Sequence, residues 1–235
     1  MHLFYSPDLQ QGNCFLSPDE SRHCVKVLRK KKGDNIHITD GFGNFYEGAL
    51  SEVNQKKCTF ELVSQKTDKK PEYSIHIAIS PTKNADRIEW FIEKSVEIGI
   101  QKISFFQASF SERKHINLAR IKKKAVSAMK QSMRAYMPEI GDMVDLKTIL
   151  DNNTIEEQKY VAHLEGSNTN HLLDLAKPAK SYLILIGPEG GFSSEEISMI
   201  KKKNFTVAKI GNYRLRTETA GLVACSILND LNYQR

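Results

Sequence analysis

From residue 73 onward, this 235-residue sequence alternates between short segments with strand periodicity and longer segments with helical periodicity. Residues 73–80 place an apolar side chain at every second position, whereas residues 88–99 place them at helical spacing and end at Gly99. Further strands are predicted at 103–106, 160–164, 182–186 and 205–210, and further helices at 118–133, 195–203 and from Ala220 to Leu231. Strands that alternate with helices predict an α/β fold with a mostly parallel sheet.

The first part of the chain has a different pattern, in which short strands are separated by tight turns. Ser17 and Glu20 form a capping box around Pro18, which predicts the start of a short helix. Strands are predicted around 36–38, at 45–52 and at 58–63. Several short strands joined by tight turns are typical of a small β-barrel.

The segment 64–71 is polar and lysine-rich and ends in proline, so we interpret it as a linker. This interpretation predicts a small β-barrel domain at residues 1–68 and an α/β domain at residues 72–235.

Composition limits the partner and the compartment without identifying a function. The net charge of +6 and the sequence pI of about 9.0 favour a polyanionic partner, although many lysine-rich surfaces are simply solvated. The four cysteines form no C-x-x-C pair and show no metal-ligand spacing, so we expect reduced thiols and no metal site. The first ten residues lack the apolar run of a signal peptide, and residues 182–186 are too short to span a bilayer, which predicts a cytoplasmic protein without membrane contact.

The most informative segment is residues 183–196, where an apolar strand runs into Gly-Pro-Glu-Gly-Gly and then into a helix capped by Ser193 and Glu196. Bare backbone at Gly190 and Gly191 lets a ligand approach closely, and open α/β sheets bind ligands where such strands end. An ordinary strand-to-helix turn is the simpler alternative. The segment matches neither the G-x-G-x-x-G dinucleotide pattern nor a phosphate-binding loop ending in Gly-Lys-Ser/Thr.

A second strand-to-helix segment, residues 210–220, concentrates the polar side chains of Arg214, Arg216, Thr217 and Glu218. Because it also follows an apolar strand, we expect both loops to border one pocket at the same edge of the sheet. Thr217 has a simpler interpretation as a helix N-cap. The two arginines beside a glycine-bearing loop favour a binding or catalytic role.

Lysine and arginine form several short clusters, of which residues 29–32 are the most informative. Arg22 and His23 come shortly before this cluster, and a small barrel with a basic edge is a common arrangement for holding RNA. The other clusters are interpreted as solvated faces. His163, in a His-Leu-Glu-Gly sequence at the end of a predicted strand, is interpreted as a supporting residue of the pocket.

Together these segments resemble, over essentially the whole chain, the RsmE-type 16S ribosomal RNA (uracil-N3)-methyltransferases of the SPOUT superfamily. The resemblance rests on five blocks, which are His23 with 27–29 and 33–34, Lys94 with 97–99, Gln131-Ser132 with Arg134 and Pro138, residues 185–191, and residues 215–220. It implies a PUA-like β-barrel domain, a SPOUT-type α/β domain with a C-terminal trefoil knot, a homodimer, and S-adenosylmethionine as the methyl donor. The departures from the family pattern are Lys130 in place of Glu, Tyr136 in place of a basic residue, and an arginine shifted by one position to Arg214.

The function implied by the resemblance is methylation of N3 of a specific uridine, 1498 in the RNA's standard numbering, in the 16S rRNA of the small ribosomal subunit. Arg216 is expected to stabilise the negative charge that develops on uracil, and Glu218 to act as base or orienter. The expected cofactor-binding residues are Leu164, Ile186, Gly187, Pro188, Glu189, Gly190, Gly191, Ile210, Gly211, Leu215, Thr217, Thr219 and Ala220. The expected RNA-binding residues are Arg22, His23, Arg29, Lys30 and Arg134.

Two other functions are compatible with the same sequence. A non-catalytic RNA-binding or ribosome-assembly factor would use this fold without binding S-adenosylmethionine, which calorimetry distinguishes. An enzyme acting on nucleotide phosphates through the Gly-Pro-Glu-Gly-Gly loop would bind ATP or GTP, although the loop lacks the lysine of such sites.

Overall fold

The computed structural model describes residues 2–152, 156–164 and 170–233. The chain divides into two compact units. The N-terminal unit contains residues 1–70 and 126–137, and the C-terminal unit contains residues 71–125 and 138–235.

The N-terminal unit is built on a four-stranded sheet. Its strands, in spatial order, are β1 (Leu3–Tyr5), β2 (Asn35–Thr39), β3 (Asn44–Glu52) and β4 (Thr59–Thr67). β1 and β2 run parallel, whereas the pairs β2/β3 and β3/β4 are antiparallel. A 3₁₀ turn (Pro7–Gln11) follows β1, and helix α1 (Pro18–Arg22) continues into a π-helical turn (His23–Val27). As predicted, the Ser17 side chain caps α1 by accepting a hydrogen bond from the Glu20 amide at 3.3 Å.

The core of the N-terminal unit is formed by side chains on the inner face of the sheet. Ile36 and Ile38, which alternate along β2 as the sequence predicts, are buried with Phe4. Cys24 and Cys58 lie in the same core, and burial is the main cause that raises the pKa of Cys24 to about 12. All four cysteines are free in the structure.

The predicted linker at 64–71 is wrong for its first four residues, because β4 extends to Thr67. Thr67 pairs with Asn44 and Lys66 with Phe45, so these polar residues belong to the sheet. Their side chains are exposed, and it is the backbone pairing with β3 that makes them a strand. The polar composition of residues 64–67 led to the linker prediction, but edge strands such as β4 also carry polar side chains.

The assignment of all residues after 72 to the second domain also needs a correction, since residues 126–137 pack within the N-terminal unit. The Gly43 amide donates to the Ala135 carbonyl at 2.9 Å, and the Met137 amide donates to the Gly41 carbonyl at 2.8 Å. These hydrogen bonds join residues far apart in sequence, which a local pattern does not reveal.

The C-terminal unit is built on a six-stranded sheet in which every pair is parallel. Its strands are β5 (Ser74–Ile79), β6 (Lys102–Gln107), β7 (Glu139–Asp145), β8 (Gln158–Ala162), β9 (Ser181–Ile186) and β10 (Thr206–Ala208). Their spatial order is β10-β8-β9-β5-β6-β7. This confirms the predicted parallel α/β sheet. β7 was not predicted, because as an edge strand it carries mostly polar and half-exposed side chains.

Six helices accompany this sheet in the described part of the chain. They are α2 (Ala85–Ile98), α3 (Leu118–Gln131), α4 (Leu146–Asp151), α5 (Leu172–Leu175), α6 (Ser194–Lys202) and α7 (Thr217–Leu231). Only residues 118–125 of α3 belong to the C-terminal unit, and the rest of this helix belongs to the N-terminal unit. α2 ends as predicted at Gly99, whose φ of 117° is a left-handed conformation that glycine adopts without strain. Among the described residues, no helix is long and apolar enough to cross a membrane.

The strand order fixes where a ligand can bind. β6 and β7 lie on one side of β5 in the sheet, whereas β8, β9 and β10 lie on its other side. The order therefore reverses beside β5, and open α/β sheets bind ligands outside the carboxyl ends of the strands at such a point. The loops that follow β5, β8, β9 and β10 all leave this edge.

Candidate active site

A cavity of about 550 Å³ lies at this edge of the C-terminal unit, bordered by the loops after β8, β9 and β10. Its lining includes the predicted residues Leu164, Ile186, Gly187, Pro188, Glu189, Gly190, Gly191, Ile210, Gly211, Leu215, Arg216, Thr217 and Ala220. It also includes Arg87, Ala162, His163, Phe192, Lys209, Tyr213 and Arg214. Thr219 and Glu218, which were expected at the site, are not among the lining residues. The two glycine-bearing loops therefore do border one pocket.

Side-chain hydrogen bonds join the two loops. The Thr217 hydroxyl donates to the Gly187 carbonyl at 3.0 Å, and the Arg214 guanidinium donates to the Glu189 carbonyl at 2.9 Å. The simpler interpretation of Thr217 as an N-cap is wrong, because Arg216 holds the N-cap position of α7. Thr217 is buried and fixes the wall of the cavity instead.

The glycines of the first loop line the cavity and also meet requirements of packing and backbone conformation. A Cβ atom on Gly190 would lie 2.8 Å from the Cβ of Phe110, so its bare side faces a phenylalanine. Gly187 is similarly covered by Phe192. Gly191 has open space around it, but its φ of 76° is left-handed and therefore favours glycine. Packing and the turn therefore restrict these positions to glycine, and the open space at Gly191 leaves room for a ligand in the cavity.

Arg216 is exposed at the cavity, and its side chain makes no hydrogen bond or ion pair with any other described residue. Glu218, two residues later, is buried in the first turn of α7. Its Oε1 lies 3.8 Å from Nε of Arg87, and its Oε2 has no hydrogen-bond partner in the described part of the chain. Glu218 therefore faces Arg87, a cavity residue that the sequence analysis did not find.

The five predicted RNA-binding residues all belong to the N-terminal unit, including Arg134, which is distant from the others in sequence. Arg22 forms an exposed ion pair with Asp19 at 3.5 Å, and Lys30 donates to the Asn35 carbonyl at 3.0 Å. Arg29 adopts a left-handed conformation with φ of 52°. The His23 ring is in edge contact with Phe4. The structure thus places these basic residues in one unit.

Two departures from the family pattern have structural partners in the N-terminal unit. The Lys130 ammonium forms an ion pair with the buried Glu20 at 2.6 Å, so the lysine compensates a carboxylate. The Tyr136 hydroxyl donates to the Asp68 carbonyl at 3.0 Å.

A second polar cluster lies away from the cavity, in the amino-terminal halves of β5 and β6. His76 is buried and uses both ring nitrogens, with Nδ1 2.7 Å from Oε1 of Glu156 and Nε2 2.9 Å from Oγ of Ser104. Burial by itself raises the pKa of Glu156, but the hydrogen bond and charge of His76 more than offset it, so the net pKa lies below the ordinary value. No group of three or more potential metal-ligating side chains occurs in the described part of the chain.

Comparison with known protein families identifies the class to which this combination of a parallel sheet, a cavity and a β-rich unit belongs. The family model described as the RNA methyltransferase domain matches residues 68–229. The model described as the RNA methyltransferase PUA domain matches residues 16–63. The protein is thus of the RNA methyltransferase class.

Within that class, the chain belongs to the family of ribosomal RNA small subunit methyltransferase E. The Buchnera aphidicola member from the pea-aphid strain is 30% identical over 97% of this chain and 92% of its own. The Aquifex aeolicus member is 29% identical over 97% of this chain and 99% of its own.

Two crystal structures are similar over nearly the whole chain. A protein described as a "probable rRNA-methyltransferase" from Porphyromonas gingivalis is 36% identical, with a TM-score of 0.92 and coverage of 99% of this chain and 98% of its own. The ribosomal RNA small subunit methyltransferase E of Neisseria gonorrhoeae, bound to S-adenosyl methionine, is 26% identical, with a TM-score of 0.87 and the same two coverages.

Proposed function

We propose that this protein transfers a methyl group from S-adenosylmethionine to N3 of one uridine, 1498 in the standard numbering, in the 16S rRNA of the small ribosomal subunit. The observation that carries the proposal is the cavity of about 550 Å³, which is lined by both strand-to-helix loops and includes Arg216 of the second loop. Membership of the ribosomal RNA small subunit methyltransferase E family supports the same activity.

The lining of the cavity fits the cofactor. Its volume of about 550 Å³ falls within the range of roughly 300–1,000 Å³ that small-molecule sites occupy. The apolar side chains of Leu164, Ile210 and Leu215 suit an adenine ring, and the exposed main chain of the glycine loop suits the polar amino-acid end. We propose that the other predicted residues that line the cavity also bind the cofactor. They are Ile186, Gly187, Pro188, Glu189, Gly190, Gly191, Gly211, Thr217 and Ala220.

The chemistry requires a positioned nucleophile more than an activated electrophile. When bound, S-adenosylmethionine supplies a methyl group on a sulfonium, a reaction centre that is attacked in line. Uracil N3 attacks well only after its proton passes to solvent water, and the negative charge then spreads over O2 and O4. The Arg216 guanidinium, with no other side-chain partner among the described residues, is placed to donate to such an oxygen. Holding the base in line contributes roughly 7–11 kcal/mol of barrier reduction.

Glu218 was expected to act as base or orienter, and its position supports the second role. It is 5% exposed, it is absent from the cavity lining, and Oε1 lies 3.8 Å from the Arg87 guanidinium. We therefore assign it to orienting Arg87, which lines the cavity. Arg87 and Arg216 together lower the free energy of the anionic uracil.

The proposal includes the finer features that the resemblance implies. These are a closed β-barrel in the N-terminal unit, a trefoil knot in the C-terminal unit, a homodimer, and a cytoplasmic location. The hydrogen bonds that tie Thr217 to Gly187 and Arg214 to Glu189 support a compact C-terminal arrangement. Sedimentation at several protein concentrations measures the oligomeric state directly, and a monomer throughout would contradict the homodimer.

Mass-spectrometric mapping of methyluridine tests the function. Small-subunit RNA from cells that lack this protein is expected to lose 3-methyluridine at one position and regain it when the purified protein and S-adenosylmethionine are added. Calorimetry distinguishes the alternatives, because an RNA-binding factor gives no heat with S-adenosylmethionine and a nucleotide-phosphate enzyme binds ATP or GTP. An unchanged methylation map would refute the proposal.

The RNA-binding role of Arg22, His23, Arg29, Lys30 and Arg134 has its own test. Affinity for the RNA is expected to fall steeply with salt, and each lost phosphate contact lowers the slope of log K against log salt by about 1. Arg29→Ala is expected to reduce this slope, whereas exposed Lys202→Ala on α6 serves as the charge-matched control. An equal slope in wild type and Arg29→Ala would remove Arg29 from the contact.

A further inference from the structure

We propose that the exposed aromatic rings of Phe110 and Tyr213 form a stacking rim beside the cavity, which receives an unpaired RNA base. The inference rests on the proposed function and names the form in which the substrate is taken. The base that stacks on this rim is that of the methylated nucleotide or of its neighbour, and it is not paired in a double helix.

Phe110 is the first part of the rim. Its side chain is 53% exposed, yet its Cβ abuts Gly190, a residue that lines the cavity. A Cβ on residue 190 would lie 2.8 Å from the Cβ and 3.4 Å from the Cγ of Phe110. One side of the phenylalanine is therefore packed on the cavity wall, while much of the ring remains open.

The turn that carries Phe110 is held on both sides by hydrogen bonds. Before it, the Ser109 amide donates to the buried Glu196 carboxylate at 2.8 Å. After it, the Ser111 hydroxyl accepts from the Ala108 amide at 2.7 Å and lies 2.7 Å from the Ser80 hydroxyl. An exposed apolar ring on a turn so well fixed loses little conformational entropy when it binds.

Arg113 adds a second anchor to the same turn. Its guanidinium donates to the carbonyl oxygens of Thr82 and Lys83, in the loop after β5. The Lys83 amide in turn donates to the Glu189 carboxylate at 3.2 Å. The Phe110 turn, the loop after β5 and the glycine loop are therefore linked at one edge of the sheet.

Tyr213 is the second part of the rim. It lines the cavity and is nevertheless 83% exposed, so most of its ring is available to a partner. The neighbouring Arg214 donates to the Glu189 carbonyl at 2.9 Å, which fixes this loop against the glycine loop. Phe110 contacts Gly190, and Arg214, next to Tyr213, bonds Glu189, so both aromatic residues are connected to the same short segment, Glu189-Gly190.

The chemistry of the acceptor requires such a surface. N3 lies on the Watson–Crick edge of uracil, where a paired base already uses it, so a methyl group reaches N3 only when the base is unpaired. An unpaired and displaced base loses the stacking of its neighbours. Proteins that accept such bases replace that stacking with aromatic side chains. Tyr213 lies with Arg216 in the cavity lining, and Phe110 lies outside that lining, against its residue Gly190. These two exposed rings provide the surface.

A fluorescence experiment tests the stacking independently of catalysis. The chain has one tryptophan, Trp90, so the double variant Trp90→Phe/Phe110→Trp carries a single reporter at the rim. A single-stranded RNA oligonucleotide that contains the target uridine is expected to quench this fluorescence saturably. The same strand annealed into a duplex is expected to quench at least tenfold less effectively. Equal responses to both forms, or no response to either, would overturn the proposal even if methylation is observed.

Steady-state kinetics separates stacking from packing on Gly190. Phe110→Leu keeps an apolar contact with the glycine but removes the ring, whereas Phe110→Tyr keeps the ring. We expect Phe110→Leu and Phe110→Ala to lower kcat/KM for RNA about 10- to 100-fold, with S-adenosylmethionine affinity within twofold of wild type and Phe110→Tyr near wild type. Tyr213→Leu and Tyr213→Phe form the same pair at the other ring.

The outcomes distinguish this inference from the proposed function. Full activity in Phe110→Leu and Tyr213→Leu, with wild-type methylation present, would overturn the rim and leave the function standing. Quenching by single-stranded RNA without any methylation by the wild type would support the rim and contradict the function. A loss seen with assembled subunits but not with naked RNA would show that the rings contact protein, which also overturns the inference.

Discussion

Two regions of the same six-stranded sheet differ in how far their basic side chains are bonded to other residues. In the amino-terminal halves of β5 and β6, both ring nitrogens of buried His76 have partners, Glu156 and Ser104. At the carboxyl edge, Arg216 has no side-chain partner in the described part of the chain, and Oε2 of buried Glu218 is also unbonded there. Oε2 of Glu156 is likewise buried without a partner, so the two regions do not differ in their unbonded carboxylate oxygens. They differ in that the His76 ring is buried and bonded at both nitrogens, whereas the Arg216 guanidinium is exposed and keeps its donors available to a ligand.

The largest effect that this contrast predicts is at Arg216. Arg216→Ala is expected to lower kcat by about 10²–10³-fold, equivalent to about 2.7–4 kcal/mol of transition-state stabilisation, because it removes a donor to developing negative charge. Exposed Arg216 has no side-chain bond to another described residue, so the melting temperature should stay near that of wild type. Single-turnover methylation with saturating S-adenosylmethionine measures the loss. Near-normal kcat with normal cofactor affinity would remove Arg216 from the reaction.

The next effect, at the His76 cluster, should appear in stability and leave activity intact. Glu156 is buried and its bond to His76 is charge-assisted, so Glu156→Ala is expected to lower the free energy of unfolding by about 1.5–3 kcal/mol. Glu156→Gln, which keeps the shape, should lose less. Denaturant titration measures the change, and methylation kinetics serve as the control. A loss of activity larger than the loss of folded protein would contradict the division between the two regions.

The same cluster predicts a pH dependence with a definite sign. The pKa of Glu156 is lowered from its ordinary value of 4.5 in the folded protein. Its contribution to stability is therefore complete above that value and is lost as the pH falls through the lower folded pKa. The stability difference between wild type and Glu156→Gln should accordingly narrow below pH 4.5.

A smaller effect is expected at Glu218, which acts through Arg87. Glu218→Gln should lower kcat about tenfold by releasing the Arg87 guanidinium, with little change in cofactor affinity. In a double-mutant cycle, Arg87→Ala/Glu218→Gln should be no slower than Arg87→Ala alone, since both variants remove one interaction. If Glu218 only balances the positive end of α7, its replacement will change stability without changing kcat.

The contrast also shows which features the sequence can predict. The capping box of Ser193 and Glu196 is complete in the structure, with both reciprocal hydrogen bonds present. The glycine loop before it was equally visible, because turns and caps depend on residues close together in the chain. The cavity could therefore be placed from two strand-to-helix patterns and the rule for parallel sheets.

Features that depend on distant partners were missed. Residues 64–67 and β7 are polar edge strands whose structure comes from backbone pairing, so neither has an apolar pattern. Arg87 lies in the first turn of α2 and contacts Glu218, over a hundred residues later in the chain. Gly190 was correctly located, but its packing partner Phe110 belongs to another loop. In each case the missing information is a tertiary contact.

The smallest effect compares one hydrogen bond in each region. The bond between His76 and Ser104 spans 2.9 Å, and the bond from Thr217 to Gly187 spans 3.0 Å. Ser104→Ala and Thr217→Val each remove one hydroxyl, so each should lower the free energy of unfolding by about 0.5–1.5 kcal/mol. Only Thr217→Val should also weaken S-adenosylmethionine binding, by a few-fold in calorimetry, because it loosens the wall of the cavity. Equal cofactor affinities in the two variants would show that cofactor binding does not depend on the hydrogen bond from Thr217 to the Gly187 carbonyl. The difference between the cavity and the His76 cluster would then rest on their charged side chains alone.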